Sequence, residues 1–185
     1  MPGQAEIRGE KALLRPWRGT DVDFVLGVTA DPLIPLVSQV PDTPDAGGAA
    51  AFIDAQTARF EEGRGWAWAV VPFGREEPAG YVGALWVARS AARASIGYWT
   101  GAAGRRGGVT TDAVKAASAW LFARADVVRL EAYIEPWNEG SVRVAERAGF
   151  EREGLMRSFA PIGGRRRDAY LYARIAPSGG QARQE

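Results

Sequence analysis

A chain of 185 residues, 46% of them apolar, is long enough to bury a sizeable core as one domain, and its net charge of +1 gives no sign of a dedicated nucleic-acid binder. It contains neither cysteine nor histidine, which excludes disulfides, thiolate nucleophiles, Ser-His-Asp triads and His-ligated metal centres. No apolar run reaches the roughly 18 residues needed to span a membrane, and residues 1–10 lack the apolar core of a signal peptide, so a cytoplasmic protein with no membrane partner is expected. In chain order, residues 11–17 predict a short strand ended by Pro16, and Thr20 predicts an N-cap with Asp23 three residues on, close to a capping box. A proline-rich stretch (Pro32, Pro35, Pro41, Pro44) precedes a helical pattern over 45–62, carried by Ala49, Phe52, Ile53, Gln56 and Phe60 and closed by Gly63 and Gly65. Strands are expected at 66–71, 79–88 and 95–100.

Residues 109–124 place Val109, Ala113, Val114, Ala117, Trp120 and Leu121 on one helical stripe. Leu130, Ala132 and Ile134 then alternate with Glu131, Tyr133 and Glu135, which predicts a half-buried strand with a polar face, stopped by Pro136. A helix over 138–148 has Asn138 as N-cap and Gly149 as C′ residue. Strands over 150–159 and 169–175, joined around Gly163-Gly164, complete the expected order β-α-α-β-β-β-α-β-α-β-β. One domain spans 1–176, and 177–185 is expected as a frayed tail.

The most informative stretch is Gly104-Arg105-Arg106-Gly107-Gly108-Val109-Thr110, a basic, glycine-rich turn opening into the 109–124 helix. Glycines allow close backbone approach, the first-turn amides are free donors, and the helix dipole favours an anion there, so a phosphate or pyrophosphate is the natural guest. No Gly-Lys-Ser/Thr follows and the glycines do not fall in a Gly-x-Gly-x-x-Gly spacing, which speaks against an NTPase or a dinucleotide dehydrogenase. On this stretch alone, a structural helix-entry loop and a ligand site are both open.

With Leu14-Arg15-Pro16 and Asp21, Ile96-Gly97-Tyr98-Trp99, Arg105-x-x-Gly108-x-Thr110, Pro136-x-Asn138-x-x-Ser141-x-x-Val144-x-Glu146-x-x-Gly149-Phe150, Glu153-Gly154-x-x-Arg157 and a late Arg167-Asp168, nearly the whole chain resembles the GNAT superfamily of acyl-CoA-dependent N-acyltransferases, in the RimJ/RimL-like branch of ribosomal-protein alanine N-acetyltransferases. The resemblance implies an α/β (α+β) fold whose mostly antiparallel central sheet has a V-shaped splay and helices on both faces. It implies acetyl-CoA or another acyl-CoA as co-substrate, no metal, and an amine acceptor that is a protein N-terminus or a small molecule. Tyr98, Trp99 and Thr100 would line the gap, with the pyrophosphate on the 105–110 loop (Arg105, Arg106, Gly107, Gly108, Val109, Thr110). Asn138 would face the pantetheine or thioester, and Ser141 would protonate the departing thiolate.

The chain departs from the family pattern at Thr110 and at Arg106, where the branch often has glycine, at Ser95 in place of a glutamate, and at Ala145 in place of a tyrosine acid. Glu135 is the nearest remaining candidate for a water-mediated base, and Trp17 and Trp137 are candidates to line an acceptor pocket. Lacking a strong base, such an enzyme favours a weakly basic amine, because neutralising an α-amine at pH 7 costs about 1 kcal/mol and a lysine amine about 4.6 kcal/mol. Aminoacyl-tRNA as donor, with Arg165–Arg167 reading its phosphates, and a non-catalytic CoA-binding domain are the alternatives. A homodimer is a further expectation by analogy with relatives.

Overall fold

The computed structural model describes residues 4–177. In them β1 (Ile7–Arg8), β2 (Ala12–Arg15), α1 (Val22–Thr29), α2 (Ile34–Val37), α3 (Ala46–Glu61), β3 (Gly65–Pro72), β4 (Gly80–Ala88), β5 (Arg93–Thr100), α4 (Val109–Arg124), β6 (Arg129–Ile134), α5 (Glu139–Arg147), β7 (Glu151–Ile162) and β8 (Arg165–Ile175) follow one another. The strands form one sheet in the order β1-β2-β3-β4-β5-β6-β8-β7, antiparallel throughout except for the parallel pair β5 and β6 that flanks the α4 crossover. Beyond Pro177, the tail expected at 177–185 lies outside the described residues.

α4 and α5 cover one face of the sheet, burying Val114, Ala117 and Leu121 against Trp68, Val82, Leu130 and Ala132. The other face carries α1, α2 and α3, where Val25, Ile34 and Phe52 pack on Ala67, Ala69 and Trp99. α3 starts where the Asp45 carboxylate accepts from the Gly48 amide, and α5 starts where the Asn138 side-chain Oδ1 accepts from the Ser141 amide; Gly149 follows α5 with φ +83°.

Four expectations need correction. α1 is capped by Asp21 and not Thr20: Thr20 lies in a 3-10 turn, and the Asp21 carboxylate accepts from the Arg18 amide at 2.9 Å and forms a two-pronged pair with Arg15 at 2.7 and 2.8 Å. The proline-rich stretch holds a further turn of helix, α2, and a short strand, β1, precedes β2. The polar face of β6 is buried instead of solvated: Glu131 is 1% exposed and Glu135 6%. Glu131 accepts from Arg93 at 2.8 Å, Arg129 at 2.6 Å and Tyr133 at 2.7 Å, and Arg129 reaches on to Glu153 of β7. Burial works against the Glu131 charge, but these donors hold its carboxyl below the ordinary value, while burial and the Glu131 carboxylate push the Tyr133 phenol up to about 12.

This network sits where β5 and β6 touch. The two strands pair only through Arg93–Ser95 and Arg129–Glu131, then part, so half the backbone groups of Ile96–Thr100 have no strand partner on the β6 side.

Candidate active site

The parting of β5 from β6 opens a cleft of about 850 Å³, walled by Tyr98, Trp99 and Thr100 of β5, the loop before α4, and residues 137–144. At its outer end α4 begins at Gly108, whose φ of +75° suits glycine and whose missing side chain leaves the helix uncapped. The first bond into the helix is Asp112 N–H to Gly108 at 3.1 Å, so the amides of Val109, Thr110 and Thr111 have no acceptor in the helix. Arg106 also has a left-handed backbone, φ +68°, which costs a non-glycine residue about 1–2 kcal/mol. The Thr110 hydroxyl bonds that of Thr100, joining the helix start to the end of β5.

Two distant contacts brace this loop. The Asp112 carboxylate accepts from the Glu10 and Lys11 amides, both at 2.9 Å, and the Lys11 ammonium donates to the Gly107 carbonyl at 3.0 Å. A Cβ on Gly9 would stand 2.4 Å from that carboxylate, so a larger residue there would push Asp112 from its two amides. On the other side Arg105 donates to the Thr100 carbonyl at 3.0 Å and pairs with Asp31. Burial works against the Asp31 charge, yet the Leu33 and Ile34 amides and Arg105 hold its carboxyl below the ordinary value, fixing α2 beside the cleft.

At the inner end, the Tyr98 hydroxyl donates to the Ser141 carbonyl at 2.9 Å, and the Ser141 hydroxyl donates to Tyr98 at 3.2 Å. Burial pushes the Tyr98 phenol up to about 12, so it stays protonated at neutral pH. The Asn138 Oδ1 is used in the cap, which leaves its side-chain NH₂ for the cleft that it lines.

The model of the acetyltransferase (GNAT) domain family matches residues 11–151. The chain belongs to the GNAT acetyltransferase family. It is 27% identical over 176 residues to a protein of Bacillus subtilis strain 168 named as a probable N-acetyltransferase, YjcK, covering 92% of this chain and 97% of that one. Its fold matches Mycobacterium smegmatis RimJ in complex with CoA-disulfide at a TM-score of 0.81, with 24% identity over 96% of this chain and 88% of that one. It matches the microcin C7 self-immunity acetyltransferase MccE, in complex with acetyl-CoA and AMP, at 0.80, with 17% identity over 90% and 93% of the two chains.

Within this GNAT domain, Tyr98, Trp99, Thr100, Arg105, Arg106, Gly108, Thr110, Asn138, Ser141 and Trp137 stand around one cleft. Gly107 and Val109 belong to the same loop without forming its wall. Trp17 is not on the cleft: it is 6% exposed, in an aromatic core with Phe52 at 5.5 Å and Trp99 at 6.3 Å between ring centroids. Glu135 is also off the cleft wall; its carboxyl accepts no hydrogen bond among the described residues, and burial pushes it up while Arg167 opposes the shift. Of the arginine cluster, Arg166 bonds the Ser158 carbonyl and hydroxyl in the β7–β8 hairpin, and all three residues are exposed.

Sequence reasoning missed the bracing roles of Lys11 and Asp31, and it missed Arg143 and Arg147 of α5 on the cleft. The last two had a signal: arginines four apart share a helix face. Among the described residues no group of three or more acidic side chains stands where it would hold a metal ion, and no helix is long and apolar enough to cross a membrane.

Proposed function

We propose that the protein transfers the acetyl group of acetyl-CoA to a weakly basic primary amine, a peptide N-terminus foremost, in the cytoplasm. The observation that carries this is the continuity of the cleft, from an uncapped helix start flanked by Arg105, Arg106, Arg143 and Arg147 to the Tyr98–Ser141 pair between the parted strands. A pyrophosphate fits the outer end, where free amides and cations coincide. A pantetheine arm fits the gap, where β5 has unpaired backbone groups and Asn138 offers its NH₂. The fold match to MccE in complex with acetyl-CoA and to RimJ in complex with CoA-disulfide supports the donor.

Acetyl-CoA supplies the activated acyl group. The amine nitrogen bonds the acyl carbon and the C–S bond breaks; the Ser141 hydroxyl gives its proton to the thiolate and takes one from Tyr98 or water. Glu135, reached through water, removes the amine proton. A base must be ionised to act, and burial raises the Glu135 carboxyl, so kcat/KM should climb with pH along a limb placed above the ordinary carboxylate range. Glu135→Gln should abolish that limb; an unchanged pH profile removes Glu135 from the mechanism.

The direct test is a thermal titration with acetyl-CoA. At about 100 times its dissociation constant a ligand adds about 2.7 kcal/mol, and a domain of this size gains about 2–4 °C per kcal/mol. No shift would overturn the donor assignment.

A further inference from the structure

On the sheet face opposite α4, a second hollow of about 510 Å³ lies beside α3 and β4, apart from the acetyl-transfer cleft. Its polar wall is Gln39, Gln56, Arg59 and Arg64, and Gly48 and Ala51 leave the space open. Arg64 is paired with Glu62. Arg59 is different: it is 4% exposed and forms no ion pair among the described residues. A guanidinium stays charged at any physiological pH, so this is a buried cation without a counter-ion, an arrangement that proteins rarely keep.

Its hydrogen bonds show what is missing. One terminal nitrogen, Nη1, meets the Tyr81 hydroxyl, and Nη2 donates to the Gln39 side-chain carbonyl at 2.8 Å. Nε has no partner, and neither does the buried Gln56 side-chain Oε1 one turn earlier on α3. Nε–H and Nη2–H form one edge of the guanidinium, the edge that matches the two oxygens of a carboxylate side-on. A single neutral oxygen from the exposed Gln39 side chain now sits on that edge.

We infer that this hollow is a carboxylate-binding seat, in which a ligand carboxylate displaces the Gln39 amide and takes both N–H groups of the Arg59 edge. The exchange replaces a neutral acceptor by a charged one and answers the orphan Nε donor, which is why it runs in the ligand's favour. Either a small free carboxylate or an acidic side chain of a peptide carries this chemistry. The seat adjoins the cleft through Tyr81, whose ring stacks on Trp99 at 5.8 Å, so a ligand held there lies on the same side as α1 and α2.

The test uses Gln39, because changing Arg59 itself risks misfolding. Gln39→Glu places a carboxylate on the seat from within the chain and should raise Tm by about 2–4 °C relative to the native protein at low salt. The native protein and Gln39→Ala should show saturable stabilisation by succinate or by a Glu-containing tripeptide at constant ionic strength, and Gln39→Glu should lose it. Stabilisation by the peptide alone identifies a peptide side chain as the source, and stabilisation by both identifies a free carboxylate. With both tripeptides amidated at the C-terminus, no gain in Tm for Gln39→Glu, or shifts no larger than chloride or the Gln-containing tripeptide produces, would overturn the assignment. Because the readout needs neither acetyl-CoA nor turnover, failure of the acetyl-transfer reading leaves it unaffected.

Discussion

Asp21→Ala should lower the unfolding free energy by about 3–5 kcal/mol, read as a lower urea midpoint with the slope of the transition unchanged. Arg15 and Asp21 are 4% and 3% exposed and share two hydrogen bonds, at 2.7 and 2.8 Å. Arg15 also donates to the Pro16 carbonyl at 3.1 Å, and Asp21 accepts from the Arg18 amide, so the pair fixes the whole turn from β2 into α1. Removing the carboxylate leaves a guanidinium with no solvent and no counter-ion, and that desolvation is the source of the loss. Replacing both residues by apolar ones of similar volume, Arg15→Met with Asp21→Leu, should recover most of it, because no charge then stays buried. A loss for Asp21→Ala below about 1 kcal/mol, the size of a surface ion pair, would show that water reaches the site.

Ser141→Ala should reduce kcat by about 10²–10³, within the range of general acid catalysis, and leave the acetyl-CoA dissociation constant unchanged within about twofold. The asymmetry follows from position. The hydroxyl is bonded to Tyr98 at 3.2 Å between the parted strands, whereas the free amides that would hold the phosphates belong to the start of α4. Tyr98→Phe removes the proton reservoir and one bond to the Ser141 carbonyl but keeps the serine hydroxyl, so its loss in kcat should be smaller. Turnover of Ser141→Ala equal to the native protein would remove the serine from proton transfer, whatever the donor affinity.

Much of this molecule can be read along the chain because its signals are local. α4 spans Val109–Arg124, as its apolar stripe predicts, since only one 3.6-residue register buries Ala113, Val114, Ala117 and Leu121 together. Asn138 and Gly149 cap as expected because a cap is made by a side chain or a φ angle within three or four residues of the amides it serves, and Asp45 at the start of α3 follows the same rule. The anion-accepting character of the 104–110 loop is likewise local, set by glycine backbone and helix start.

What only the tertiary structure decided depends on partners far apart in sequence. Thr20 and Asp21 are both good caps, and Asp21 prevails because the strand before it brings Arg15 to the same buried point. Alternation placed Glu131 and Glu135 on a polar face correctly, yet whether water or protein covers that face is settled by Arg93, Arg129 and the β7–β8 hairpin. Trp17 is a candidate for an acceptor pocket from the sequence, and it is core because Phe52, Tyr81 and Trp99 converge on it from three other elements. The open edge of Arg59 has the same origin: a single arginine in a helix pattern carries no sign of its missing counter-ion until α3 is laid on the sheet. Hydrogen-bond geometry within a turn is written in neighbouring residues, whereas burial and charge pairing are properties of the packed whole, and so only the fold could decide them.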